Sequence, residues 1–113
     1  MATATLPLNS FKTKALELTT ATTTVYTTPA GVTTIVLGAQ ATNLIDEPVT
    51  VKFTLILNGT EFTLLRDFEI PANDAADVIT GKLVIPTAGV ITASAGANNG
   101  VNLVLSILET SNE

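Results

Sequence analysis

Apolar side chains alternate most cleanly at Val49, Val51, Phe53, Leu55 and Leu57, with Thr50, Lys52 and Thr54 between them, the period-two signature of a half-buried strand. Asn58-Gly59 follows, the pair that supplies positive φ at both central positions of a type I′ hairpin. The chain then returns through TEFTLLRDFEIP. Phe62 and Leu64 are in phase with Phe68 and Ile70 there, but Arg66 falls on the same apolar face, so a bulge near Leu65 is expected to realign the strand. At the end of the chain, VNLVLSILE sets Val101, Leu103, Leu105 and Ile107 on one side and predicts Leu105 as core.

Upstream, ALEL offers Leu16 and Leu18 at period two, and TTVYTT leads into Pro29-Ala30-Gly31, where Pro presets φ and Gly permits a positive one, as a turn between strands requires. TTIVLGAQATN predicts a strand with Ile35, Leu37, Ala39 and Ala41 on one face and Val36, Gly38, Gln40 and Thr42 on the other. Small residues late in that strand imply close approach of another segment. Beyond Pro71, a polar connection carries a short strand at Asp77 to Thr80. KLVIP, GVITASA and the final strand follow, separated by turns at Pro86 to Gly89 and at Asn98-Asn99-Gly100. With about eight short antiparallel strands and no helix, the pattern predicts an all-β chain folded as a single jelly-roll-like β-sandwich over residues 15–113. Residues 1–14 lack periodicity and are expected to form an extended N-terminal arm, with a reach of up to about 46–50 Å. Its Leu6, Leu8, Phe11, Lys12 and Lys14 are the candidate partner-binding residues, docking on a neighbouring subunit.

Composition changes this picture in one respect. Only 13% of the 113 residues are charged while 46% are hydrophobic, against about 25% charged in an ordinary soluble domain. A surface so poor in charge is coated by neutral polar groups or covered by protein. The threonines supply the first, being β-branched enough for a strand and polar enough for water. The second implies a homo-oligomer. The net charge of −5 with five Lys and Arg leaves no basic stripe for nucleic acid. No apolar run approaches the roughly 18–20 residues of a membrane span. The opening MATATLPLNSFKTK has no signal-peptide pattern, so synthesis in the cytoplasm is expected.

Without histidine or cysteine, disulfides, thiolate nucleophiles and imidazole bases are excluded. Carboxylates, lysines, hydroxyls and Tyr26 remain, and no catalytic residue, cofactor or metal site is expected among them. Asp67 and Glu69 fit a solvated strand rim. Asn73, Asp74 and Asp77 gather oxygens in one loop without the spacing of a calcium loop. The sequon Asn58-Gly59-Thr60 is accounted for by the hairpin turn.

The ordered series VYTTPAGVTTIVLGAQATN, LLRDFEIPAND, GKLVIPTAGVITASA and LVLSILE resembles small all-β virion proteins of tailed bacteriophages, including those of cyanobacteria and marine bacteria. The resemblance runs over residues 20–110, with its turn motifs at Tyr26 to Thr33 and Ile70 to Asn73 and a strand motif at Gly81 to Ile85. It implies a non-enzymatic structural protein of a virion assembled in the host cytoplasm. A capsid decoration (cement) protein that forms a symmetric homo-oligomer such as a trimer and binds the major capsid protein is the foremost expectation. The alternative is a neck, tail or fibre component that binds other virion proteins or a host surface glycan.

Overall fold

The computed structural model describes residues 9–79, 82–98 and 100–111. These form nine strands, β1 (Asn9–Leu18), β2 (Thr23–Thr27), β3 (Val32–Asn43), β4 (Val49–Leu57), β5 (Thr60–Ile70), β6 (Ala75–Ile79), β7 (Leu83–Ile85), β8 (Val90–Ala95) and β9 (Val101–Ser111). Two antiparallel sheets result, ordered β1-β9-β3-β6 with β7 also on β3, and β2-β8-β4-β5; they are called here the β1 sheet and the β2 sheet. The pairing is nested. β1 pairs with β9, β2 with β8, β3 with β6 and β7, and β4 with β5. A long antiparallel ribbon has rolled up so that alternate pairs fall in opposite sheets. That is the jelly roll of eight strands, its sixth strand broken into β6 and β7.

The core lies between the sheets, where Val36, Val51, Phe53, Ile70, Ile85, Ile91, Leu103, Leu105 and Ile107 are buried almost completely. β4 and β9 keep the phases expected of them. Asn58 and Gly59 have φ of 52° and 80°, as the type I′ turn demands, and join β4 to β5 in a tight local hairpin. Gly31, at φ 74°, turns the chain from the β2 sheet into the β1 sheet rather than closing a hairpin. The return strand β5 carries two irregularities around Leu65, since Val51 lies opposite Phe68, Phe53 opposite Leu65 and Thr54 opposite Thr63. Asp67, at φ 53°, sits in the first. The extra residues keep Arg66 exposed while Leu65 and Ile70 turn inward.

Three expectations are corrected. β3 does not keep one phase, because Val36 pairs with Ile107 and Gly38 with Ser106, leaving Leu37 as an extra residue. Val36, Ala39 and Ala41 therefore share the core side while Ile35 and Leu37 face out. Four of the strands expected to be short are long, β1 with 10 residues, β3 with 12, and β5 and β9 with 11 each. The third concerns the arm. Residues from Asn9 onward are not a patternless tail but the first half of β1, in unbroken register with β9 from Asn9 opposite Thr110 to Leu18 opposite Val101. The strand escapes the period-two signal because it is an edge strand whose core-side positions include Lys12 and Lys14, inward-directed charges of the kind that protect sheet edges. The sandwich thus begins before residue 15. Leu6 and Leu8 lie outside the described residues.

Candidate interaction face

The outward side of the β1 sheet is assembled by register. Phe11 of β1 lies opposite Leu108 of β9, Leu108 opposite Ile35 of β3, and Ile35 opposite Val84 of β7, so one apolar row crosses four strands. Phe11 is 74% exposed and Val84 58%; Leu37 and Val104, on the same side, are 38% and 41% exposed. Below that ridge comes a row of small residues, Thr13, Ser106 and Gly38. A Cβ placed at Gly38 would meet nothing within 4 Å, so the row is a hollow open to solvent. The next row runs Ala15, Val104, Gln40 and Asp77. Glu17 and Asp77, at the far end and the far edge, are the acidic residues in phase with this side, and the ridge and the hollow contain no charge.

The outward side of the β2 sheet is built differently. Thr24, Thr92, Thr54 and Thr63 form a row of four threonines across β2, β8, β4 and β5. On either side stand Lys52 opposite Ser94, Thr50 opposite Glu69, and Ile56 opposite Glu61. A shallow polar depression of about 60 Å³ is lined here by Thr22, Lys52, Thr54, Glu61 and Thr92.

Lys12, an arm residue by the sequence pattern, belongs to a polar cluster that links the sheets. Its Nζ lies 2.9 Å from Glu109 Oε1. The other Glu109 oxygen accepts from the Tyr26 hydroxyl, which in turn is 2.7 Å from Thr34 Oγ1. Having given its one proton to the carboxylate, the phenol accepts from the threonine. Burial, then the bond to Glu109, pushes the Tyr26 pKa up to about 12. The hydrogen bond from Lys12, then that from Tyr26, holds the Glu109 carboxyl below its ordinary value. Lys14 is exposed on β1 and Phe11 belongs to the ridge, so the structure separates the described arm residues into an edge strand, an ion pair and an apolar face.

Asn73 donates to Asp46 Oδ1 at 2.8 Å and Asp74 Oδ1 accepts the Ala75 amide at 2.8 Å, so these side chains hold the loop. Among the described residues, no three acidic, histidine or cysteine side chains gather around one point. Pattern reading missed Asn43. Buried at the end of β3, it donates to the carbonyls of Glu47, Ile70 and Pro71 at 2.7, 3.1 and 3.1 Å and accepts the Ile45 amide at 3.0 Å. A lone Asn before a polar turn carries no sign of four such bonds. On the flank where β5 and β6 stand apart, a recess of about 260 Å³ is lined by Leu64, Leu65, Val78, Ile79, Lys82 and Leu83.

No protein-family model and no curated protein matches the chain. Solved structures match at the level of the fold. A protein of Bacillus endospore appendages, described as a family of disulfide-linked pili, aligns with a TM-score of 0.57 and 10% identity over 93% of this chain and 88% of that one. A chain of the T13 IBDV viral particle aligns with a TM-score of 0.53 and 11% identity over 93% of this chain and 31% of that one. The present chain, having no cysteine, makes no disulfide of the kind that names the appendages.

Proposed function

We propose that this protein is a non-enzymatic structural subunit of a tailed-bacteriophage particle, acting as a capsid decoration protein that associates with itself and binds the head shell. The observation that carries the reading is the uncharged apolar ridge on the outward side of the β1 sheet. A jelly roll whose core is already filled gains nothing from such a ridge as a monomer, whereas a subunit gains contact area where charge is depleted, as at the centre of protein interfaces. The fold likeness to a viral-particle chain and the sequence resemblance to small phage virion proteins support the same reading. So does the lack of histidine and cysteine, which removes imidazole bases and thiolate nucleophiles.

The test is copy number and position in purified particles, by quantitative mass spectrometry and imaging. Hundreds of copies on the head are the expected result. A dozen or fewer at the neck or tail would replace decoration with the neck, tail or fibre role, and absence from the particle would overturn the reading.

A further inference from the structure

We infer that the outward side of the β1 sheet is a self-association face, on which a second copy of this chain docks about a two-fold axis. The inference deepens the reading of the chain as a subunit, and rests on it, by naming the partner of the ridge.

Four observations select a second copy. The ridge and hollow carry no charge, so a partner that lays charged groups over them desolvates those groups without compensation. The facing surface must therefore also be neutral. Of the two sheet faces of this chain, the β2 side carries Lys52, Glu61 and Glu69 beside its central row, whereas the β1 side keeps its acids, Glu17 and Asp77, outside the ridge and hollow, so its two central rows meet that condition. Two copies, each with net charge −5, repel one another least when they approach through the two rows that hold none of that charge. Shape agrees. The ridge of Phe11, Leu108, Ile35 and Val84 runs beside the hollow of Thr13, Ser106 and Gly38, about 7 Å away at two residues along the strands. A two-fold axis between the rows seats each ridge in the other copy's hollow, the reciprocal contact that defines an isologous interface.

Size agrees as well. Four strands about 4.8 Å apart and roughly nine residues long project an area of roughly 500–600 Å². Side-chain relief raises that toward the approximately 800 Å² that each partner buries in a standard interface. Packing is then that of one sheet on another, with Thr, Asn and Gln and the acids Glu17 and Asp77 at the rim.

The experiment uses the full chain and places charge in the hollow at Ser106, exposed on β9. Wild type, Ser106→Lys, Ser106→Asp and an equimolar mixture of the two variants are compared by sedimentation velocity across micromolar concentrations, with circular dichroism as the folding control. Wild type is expected to associate, each variant to weaken association by about tenfold or more, and the mixture to restore it as opposite charges meet across the axis. Gly38→Gln, which fills the hollow from a position with open space around it, is expected to weaken association without lowering the melting temperature. Lys52→Glu on the opposite side is expected to leave it unchanged.

A monomeric wild type would overturn the inference, as would association indifferent to both Ser106 variants or weakened by both without rescue in the mixture. Association lost on deleting residues 1–8 but untouched at Ser106 would place that segment, not this face, at the contact. If reciprocal rescue is seen while the protein is absent from particles, the decoration role fails and the self-contact stands. If the protein decorates heads as a monomer, the contact fails alone.

Discussion

The two outward sides of the sandwich present opposite solutions to the same scarcity of charge. Across the β2 sheet, Thr24, Thr92, Thr54 and Thr63 stand in one row, β-branched enough to favour the strand, with Thr54 and Thr92 nearly buried at its centre and the Thr24 and Thr63 hydroxyls meeting water at its ends. Ile56 on that side is directly opposite Glu61, so even its apolar group has a charged neighbour. Across the β1 sheet the corresponding row is Phe11, Leu108, Ile35 and Val84, without a charge in it or in the row of Thr13, Ser106 and Gly38 beside it. Low charge is therefore not spread evenly over the molecule. Threonines and charged side chains occupy the β2 side, while the β1 side carries an uncharged apolar ridge, the surface that the proposed self-contact would cover.

That contrast depends first on strand phase, and the largest expected effect tests it. Leu105 points into the core from β9, with Ser106 and Val104 pointing out. Leu105→Ala should cost about 2–5 kcal/mol through lost burial and a residual cavity, measured by chemical denaturation. An unchanged midpoint would mean that the outward residues have been assigned to the wrong side. Next in size is Asn43→Ala, at about 1–3 kcal/mol for the buried backbone groups that it leaves unsatisfied. Asn43 ties the end of β3 in one sheet to the end of β5 in the other through the Ile70 and Pro71 carbonyls, and so holds the two outward sides in fixed relation.

Exchanging chemistry between the sides is a smaller perturbation of stability and a sharper one of behaviour. Ile35→Thr together with Leu108→Thr turns the ridge into a threonine row. The cost is expected to be about 1 kcal/mol each, for the loss of one or two half-buried methylene equivalents, with retention of the β spectrum. Binding of a hydrophobic dye and self-association should both fall. Thr24→Val with Thr63→Val on the β2 sheet should do the reverse, raising dye binding with little change in the melting midpoint. Equal dye binding by all three proteins would remove the distinction between the sides.

Much of this architecture is legible in the pattern. β4 and β9 alternate without interruption, Asn58-Gly59 allows one kind of turn, and Arg66 on an apolar face announces the irregular β5. What the pattern hides is where tertiary pairing overrides it. Leu37 is apolar and in phase with Ala39, yet the extra residue in β3 turns it outward and gives its core place to Val36. β1 looks patternless because one of its two neighbours is solvent and its inward positions hold lysines, so the β9 register decides its extent. The ridge was visible as residues but not as a site. Phe11, Ile35, Val84 and Leu108 are scattered over 98 positions, and it takes the nested order of strands to set them side by side. Cross-strand rows of this kind have no signature within any one strand.

The smallest expected effect concerns the edge where the two sides meet. Lys12 reaches from β1 to Glu109 on β9, and Glu109 also accepts a hydrogen bond from the Tyr26 hydroxyl of the opposite sheet. Both bonds favour the carboxylate, which lowers the Glu109 pKa below 4.5. A group whose folded pKa is depressed contributes stability that is fully present above its unfolded value and is lost as pH falls through the folded one. The contribution should thus be complete at pH 7 and begin to fade as the pH falls below about 4.5, the window in which the unfolded chain takes up the proton and the folded chain resists it. Lys12 is half exposed, so the pair is screened and is expected to supply about 0.2–1 kcal/mol. Tyr26, pushed up to about 12, acts at the other end of the scale. It is neutral in both states at pH 7, and stability falls only as the pH rises past about 10, where the unfolded phenol ionises and the buried one does not. Denaturation of wild type and Glu109→Gln between pH 7 and pH 3 should show the acid-side slope shallower in the variant, and Lys12→Ala should reduce it in part. Parallel curves for all three would mean that the ion pair adds nothing to the hold on β1, leaving that edge strand to its backbone pairing with β9 and to Leu16 and Leu18 packed against the core.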